Sequence, residues 1–236
     1  MQEAVPDLVP FLSFNAAVSP QIDEYLESNE HQTSDKDQAL RSKWVLWEQL
    51  GLTAAQKDSS QYSQATQRVA AVTTAKEFWR YWNHMPQPSL LLEGKKFMRV
   101  KGEARHVVDA LMIFKDGIRP EWEDAANAAG GHFTFQLKAV IGGGVIDEYW
   151  NNIVLGVIGG SVEPDIVTGL RLVDKLGNKR QPHLRIEVWF SNVAETEKVD
   201  KLQQSLEKCM LLRLDGAERQ PAWGKVERTS HAPQGK

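Results

Sequence analysis

The 236-residue sequence holds a single cysteine, Cys209. That excludes an internal disulfide and a cysteine-based zinc site, and it fits a reducing compartment such as the cytosol or nucleus. Long apolar runs are missing as well. No window approaches the roughly 18 consecutive apolar residues of a membrane-spanning helix, and Glu3 and Asp7 stand where a secretory signal would carry a basic flank. The expectation is a soluble chain with no membrane partner. An excess of one charge is also lacking: 28 Lys and Arg against 31 Asp and Glu give a formal net charge of -3. Bulk adhesion to nucleic acid is therefore not expected, and any anion site has to be local. The composition, 42% hydrophobic and 25% charged, excludes low-complexity and collagen-like chains and requires a packed core. What stands out is tryptophan, eight Trp against four Tyr.

Enzyme signatures are absent too. Gly142-Gly143-Gly144 and Gly159-Gly160 lack the Gly-Lys-Ser/Thr ending of a phosphate loop and the spacing of a dinucleotide fold, so they read as loops and helix ends. His31, His84, His106, His132, His183 and His231 never fall at metal-ligand spacing, and there is no GxSxG. No catalytic residue, metal or cofactor is expected.

Residues 1–40 mix Pro6, Pro10 and Pro20 with a polar stretch and read as a flexible arm, with residues 41–236 as the folded domain. Beyond it, Trp44 to Trp47 and Arg68 to Val72 read as strands, and Thr74-Ala75-Lys76-Glu77 is a capping box opening a helix through Trp82. Further strands are expected at Ala110 to Phe114, His132 to Val140, Ile166 to Val173, Leu184 to Phe190 and Lys225 to Ser230. Helices are expected from about Val145 to Ile158 and from Glu195 to Leu212, the latter with Val199, Leu202, Leu206 and Cys209 on one face. Phe133, Phe135 and Leu137 point inward, Thr134, Gln136 and Lys138 outward. Strand pairs alternating with helices imply an α+β fold, a mostly antiparallel sheet with helices on one face and the other face free.

The most informative segment runs from Phe114 to Asp124, with Gly130-Gly131 soon after. Gly117 and Pro120 mark a turn, and Trp122 follows beside Glu123. One reading is a loop-anchoring indole with solvated acids. The other is a base clamp: an aromatic face stacks on a nucleobase for about 1–3 kcal/mol, and an adjacent carboxylate accepts hydrogen bonds from guanine. A positively charged base adds cation-π and charge-assisted terms, and 7-methylguanine is the base that fits.

Here the sequence resembles the eukaryotic translation initiation factor 4E family, which binds the messenger RNA cap. The resemblance runs from about Ala39 to His231. It is carried by Lys43-Trp44-Val45-Leu46-Trp47, Glu77-Phe78-Trp79 with Asn83-His84, the Phe114 to Asp124 segment, Gly130-Gly131, Trp150, Ile186-Glu187-Val188-Trp189 and Thr229-Ser230-His231-Ala232. It implies a curved antiparallel sheet with three helices packed on the convex face and a 7-methylguanosine cap in the concave face. It implies Trp122 as one slice of the stacking sandwich, Glu123 as the guanine reader, Arg171 and Arg185 as phosphate contacts and Trp189 at the methyl group. Taken without the family, Arg171 and Arg185 read as a solvated strand face.

Two positions depart from the family pattern. Tyr62 stands where Trp most often forms the second slice, and His132 where an arginine commonly assists the phosphates. His132 would then lend partial, pH-dependent charge. Two insertions carry Lys95, Lys96, Arg99, Lys101 and Arg105, and Lys175, Lys179 and Arg180. They read either as solvated loops or as basic patches near the RNA path, and they resemble divergent isoforms of trypanosomatid protists. The resemblance also implies a second site, on the opposite face, for the helical Tyr-x-x-x-x-Leu motif of a scaffold or 4E-binding protein. Trp79, with Ala75, Asn151, Asn152 and Leu155, would form it. The function expected is a cytoplasmic, or also nuclear, non-enzymatic factor that binds capped mRNA and engages a scaffold or repressor. The alternative is a protein-interaction module on the same fold with weak or lost cap binding.

Overall fold

The computed structural model describes residues 37–52, 59–101, 103–213 and 216–232. Nearly all of the expected arm lies outside these. Strand β1 (Ala39–Leu50) is followed by helix α1 (Ser59–Ala65), which runs straight into β2 (Thr66–Thr74), then α2 (Ala75–Trp82), α3 (Ser89–Leu92), β3 (Met98–Lys101) and β4 (Ala104–Lys115). After a long loop come β5 (Gly131–Leu137), a 3-10 turn (Ala139–Ile141), α4 (Gly143–Ile158), β6 (Val167–Lys175), β7 (His183–Phe190), α5 (Thr196–Leu211) and β8 (Glu227–Ser230). The strands form one curved, open antiparallel sheet in the order β2-β1-β4-β6-β7-β5-β8, with β3 pairing outside that path on β4.

Helix α2 begins as the sequence predicts. Thr74 Oγ1 accepts from the Glu77 N–H at 3.2 Å, while the Glu77 carboxylate reaches back to Thr73 rather than Thr74, taking its N–H and its hydroxyl at 2.7 Å each. In α5 the apolar stripe is Val199, Leu202 and Leu206, as expected, but Met210 is the fully buried fourth member. Cys209 is half-buried, its thiol near the Asn152 carbonyl, and burial pushes it up to about 11, so it is an unreactive thiol at neutral pH. Gly156 lets α4 approach α5, since a Cβ there would lie 2.8 Å from Cys209 Sγ.

Several elements differ from expectation. The strand starting at His132 stops at Leu137, because the chain turns into the 3-10 segment, and the last strand is only Glu227–Ser230. Helix α1, Ser-Ser-Gln-Tyr-Ser-Gln-Ala, has no apolar period to announce it. The first insertion contributes the four-residue helix α3 and the hairpin of β3 with β4.

The main core lies between the helices and one face of the sheet, with Phe133, Phe135, Leu170, Leu172, Ile186 and Val188 packed against Trp150, Ile153, Leu202 and Leu206. A second cluster, Ala110, Met112, Phe114, Val173 and Trp189, lies on the other face, with Trp47 and Ile118 against it. Gly169 makes room for it: a Cβ there would lie 2.4 Å from the Phe114 ring.

Candidate functional site

On that second face, strands β6 and β7, the loop 116–130 and helix α1 surround a pocket of about 430 Å³ lined by Tyr62, Pro120, Glu121, Trp122, Glu123, Arg171 and Trp189. The volume lies in the range of small-molecule sites. Strand alternation sets its floor. Arg171 on β6, and Arg185, Glu187 and Trp189 on β7, share one face, and Arg171 pairs in register with Glu187.

The loop that carries Trp122 and Glu123 is held from inside. Asn127, fully buried, donates through Nδ2 to the Arg119 and Glu121 carbonyls at 2.9 Å each, and the Asp124 carboxylate accepts from the Arg119 and Ala126 N–H groups at 2.8 and 2.9 Å. Gly117 starts the loop in the left-handed region, at φ 85°. Gly130 closes it because a Cβ there would lie 1.9 Å from the Phe190 carbonyl oxygen. Trp122 itself is 48% exposed. Its indole stacks on His231, with centroids 5.3 Å apart and an interplanar angle of 13°, which leaves the other face to the pocket.

Opposite, Tyr62 projects from α1, and burial, partly countered by Arg171, raises its phenol above the usual range. The Arg171 guanidinium carbon lies 6.0 Å from the Tyr62 ring centroid and 5.7 Å from that of Trp189. A tie that the sequence did not reveal joins the two walls. Arg119 donates to Ser63 Oγ, beside Tyr62, at 2.7 Å and to Glu121 Oε1, beside Trp122, at 2.8 Å. Arg119 lies within the segment from Phe114 to Asp124, but no local signal announces a contact that spans 56 residues of chain.

Glu187 was only a landmark of the resemblance in the sequence; in the structure it is the charge centre of the pocket floor. It is 2% exposed. It accepts from Arg185 Nη2 at 2.7 Å, Arg171 Nη1 at 3.2 Å and the Trp189 indole N–H at 2.9 Å. Burial alone would raise its carboxyl, but the Arg171 and Arg185 charges outweigh that and bring it down to about 2.

His132 sits behind the pocket wall rather than among the lining residues. It is 6% exposed and its ring stacks on Trp189 at 5.7 Å. Its Nδ1 lies 2.9 Å from His231 Nε2, and His231 Nδ1 lies 3.0 Å from the Asn127 carbonyl. Because that carbonyl can only accept, His231 donates from Nδ1 and accepts at Nε2 from His132, so a neutral pair satisfies the whole chain. Burial pushes the His132 pKa down to about 4, helped by the charges of Arg185 and Arg171 and opposed by Glu187. The expectation of a partly charged His132 at neutral pH is thereby corrected: desolvation keeps it neutral.

The residues expected at the partner surface separate. Trp79 is half-buried on α2, edge-on to Phe78 at 5.3 Å. Ala75 and Leu155 are half-buried. Asn151, by contrast, is 4% exposed and ties α2 to α4, accepting from Trp82 Nε1 at 2.9 Å and donating to Gln87 Oε1 and the Asp147 carbonyl at 2.8 Å each. Its amide is fully engaged inside the protein, not offered to a partner. Asn152 donates to the Leu212 carbonyl at 2.5 Å. In the insertions, Lys95 pairs with Glu93, Lys96 with Asp174 and Arg99 with Glu48, and Lys101 bonds Gln67.

An open α+β sheet that holds its main core on one face and, on the other, a pocket with aromatic walls, a rim carboxylate and an arginine floor defines a concave binding site. Comparison with known proteins makes the assignment specific: the chain belongs to the eukaryotic initiation factor 4E family, whose pattern it matches over residues 39–220. It is 33% identical over 172 residues to eukaryotic translation initiation factor 4E of Saccharomyces cerevisiae, covering 67% of this chain and 71% of that protein. It is 30% identical over 163 residues to the Eremothecium gossypii factor, covering 68% and 66%. The match thus spans about two thirds of the length of these relatives. Its fold is similar to that of C. elegans eIF4E-3, solved with the 4E-binding protein Mextli and a cap analog, with a TM-score of 0.59, 18% identity and coverage of 83% of this chain and 94% of that one.

Proposed function

We propose that this protein is a non-enzymatic factor of translation initiation that binds the 7-methylguanosine cap of mRNA in the pocket between Tyr62 and Trp122. The observation that carries the reading is the pocket itself: Tyr62, Trp122, Trp189, Glu123 and Arg171 line one opening of about 430 Å³, in a chain of the initiation factor 4E family. The base stacks between Tyr62 and the open face of Trp122, and Glu123 accepts from the guanine edge. Trp189 flanks the methyl group, and Arg171 and Arg185 face the phosphates. His132 supports Trp189 and His231 as a neutral ring. The cap-binding domain begins with β1 at Ala39, two residues before the expected boundary at 41. A scaffold or 4E-binding protein with a Tyr-x-x-x-x-Leu type helix docks on the opposite face at Trp79, Ala75 and Leu155, bordered by Asn152. The site of action is the cytoplasm.

The test is retention on immobilised 7-methyl-GTP with 7-methyl-GTP or GTP as competitor. Release by the methylated nucleotide alone is expected, and no methyl-specific retention overturns the reading in favour of an interaction module. Trp79→Ala should lose a Tyr-x-x-x-x-Leu peptide and keep cap retention; losing both in a folded variant contradicts two separate sites.

A further inference from the structure

Arg171 and Arg185 offer guanidinium forks suited to phosphate, yet in this structure donors of both already point at a protein carboxylate. Glu187 takes Arg185 on Oε1 and Arg171 on Oε2, and the Trp189 indole N–H fixes Oε2 from a third direction. The arginine side chains are 12% and 30% exposed and that of Glu187 is 2% exposed, so bulk water does little to screen this cluster. With a pKa near 2, Glu187 stays ionised at any working pH. Two guanidinium charges and one carboxylate leave the floor with a single positive charge.

We propose that Glu187 is a specificity-determining residue of the pocket: a resident carboxylate that holds one donor of Arg171 and one of Arg185 and so limits how much affinity each added phosphate of the ligand contributes. This rests on the cap-binding reading above. An incoming phosphate finds one donor of each arginine already held by a carboxylate that cannot leave, and it feels that carboxylate's repulsion at close range. Removing the charge leaves two desolvated guanidinium groups without a counter-ion, which destabilises the free protein. A bound polyphosphate relieves that state. Stability and polyphosphate affinity therefore move in opposite directions, whereas for a merely structural residue they fall together.

The experiment uses Glu187→Gln, which keeps the size and an acceptor for Trp189. At fixed ionic strength, the variant should bind 7-methyl-GTP about tenfold more tightly than wild type and 7-methyl-GMP about threefold more tightly, with 7-methylguanosine unchanged within about twofold. Its free Tm should fall while its Tm gain with 7-methyl-GTP grows. Equal or weaker 7-methyl-GTP binding by a folded variant overturns the proposal. A wild-type measurement tests it even if the variant does not fold: 7-methyl-GTP should bind less than about tenfold more tightly than 7-methyl-GMP, and a larger ratio overturns it. If wild type shows no preference for 7-methyl-GTP over GTP, the cap-binding reading fails by itself. Inorganic tripolyphosphate still reads the forks in that case, since its thermal shift should be larger in Glu187→Gln than in wild type, and an equal or smaller shift overturns the proposal.

Discussion

The two faces of one sheet bury their residues by different physics. Under the helices, Phe133, Phe135, Leu137, Leu172, Ile186 and Val188 are fully buried or nearly so and satisfied by contact alone, because hydrophobic burial is non-directional. On the pocket face of the same strands, His132, Thr134 and Glu187 are also buried. There His132 and Glu187 are each answered by a partner with defined geometry, His231 in one case and Arg171, Arg185 and the Trp189 N–H in the other. The first face tolerates substitution in proportion to volume lost. The second ties stability to protonation state and to ligand charge.

Substitutions on the two faces should therefore fail differently. The largest effect is expected on the helix side: Phe135→Ala, at a fully buried ring edge-on to Trp223, should cost about 3–5 kcal/mol in urea unfolding at any pH. A loss that varied strongly with pH would blur the contrast between the faces. Next is the acid response of the pocket side. The unfolded His132 ring titrates near 6.5 and the folded one near 4, so between those values the unfolded chain binds more protons and stability falls as pH drops. At about 1.4 kcal/mol per unit across that gap, roughly 3 kcal/mol is lost in full, with His231, also depressed by burial, acting in the same direction. His132→Gln should flatten the wild-type curve of unfolding free energy between about pH 6.5 and 4, and parallel curves would remove His132 as its source.

A smaller effect, at least about tenfold or 1.4 kcal/mol in 7-methyl-GTP affinity by calorimetric titration, is expected for Trp122→Ala. Because Trp122 is 48% exposed, its urea midpoint should hardly move, and wild-type affinity would remove the stacking wall. The smallest belongs to Arg119→Ala. Removing an exposed tie between α1 and the Trp122 loop should weaken 7-methyl-GTP by about twofold to threefold and cost under about 1 kcal/mol of stability. A collapse of binding would make Arg119 a direct ligand contact.

The sequence by itself determined the elements with a strong local signal. The capping box at Thr74, the alternation of Phe133, Phe135 and Leu137 and the stripe of α5 are periodicities that a one-dimensional reading can detect. The turn residues Gly117 and Pro120 placed Trp122 and Glu123 on a loop, and the runs around Arg171 and Arg185 placed each of them on a strand. What the tertiary structure alone decided are relations between distant segments. Alternation assigned Thr134 outward, yet it is 4% exposed. Asn151, on a helix face expected to meet a partner, is closed in by Trp82 and Gln87. Whether His132 carries charge depends first on the burial that folding imposes on it, between Trp189 and His231 ninety-nine residues away. Whether Arg171 offers its fork depends on the strand register that sets it opposite Glu187. Local propensity acts over a few neighbouring residues, whereas desolvation and charge pairing depend on what register and topology bring within a few ångströms, and that is fixed only when the chain is folded.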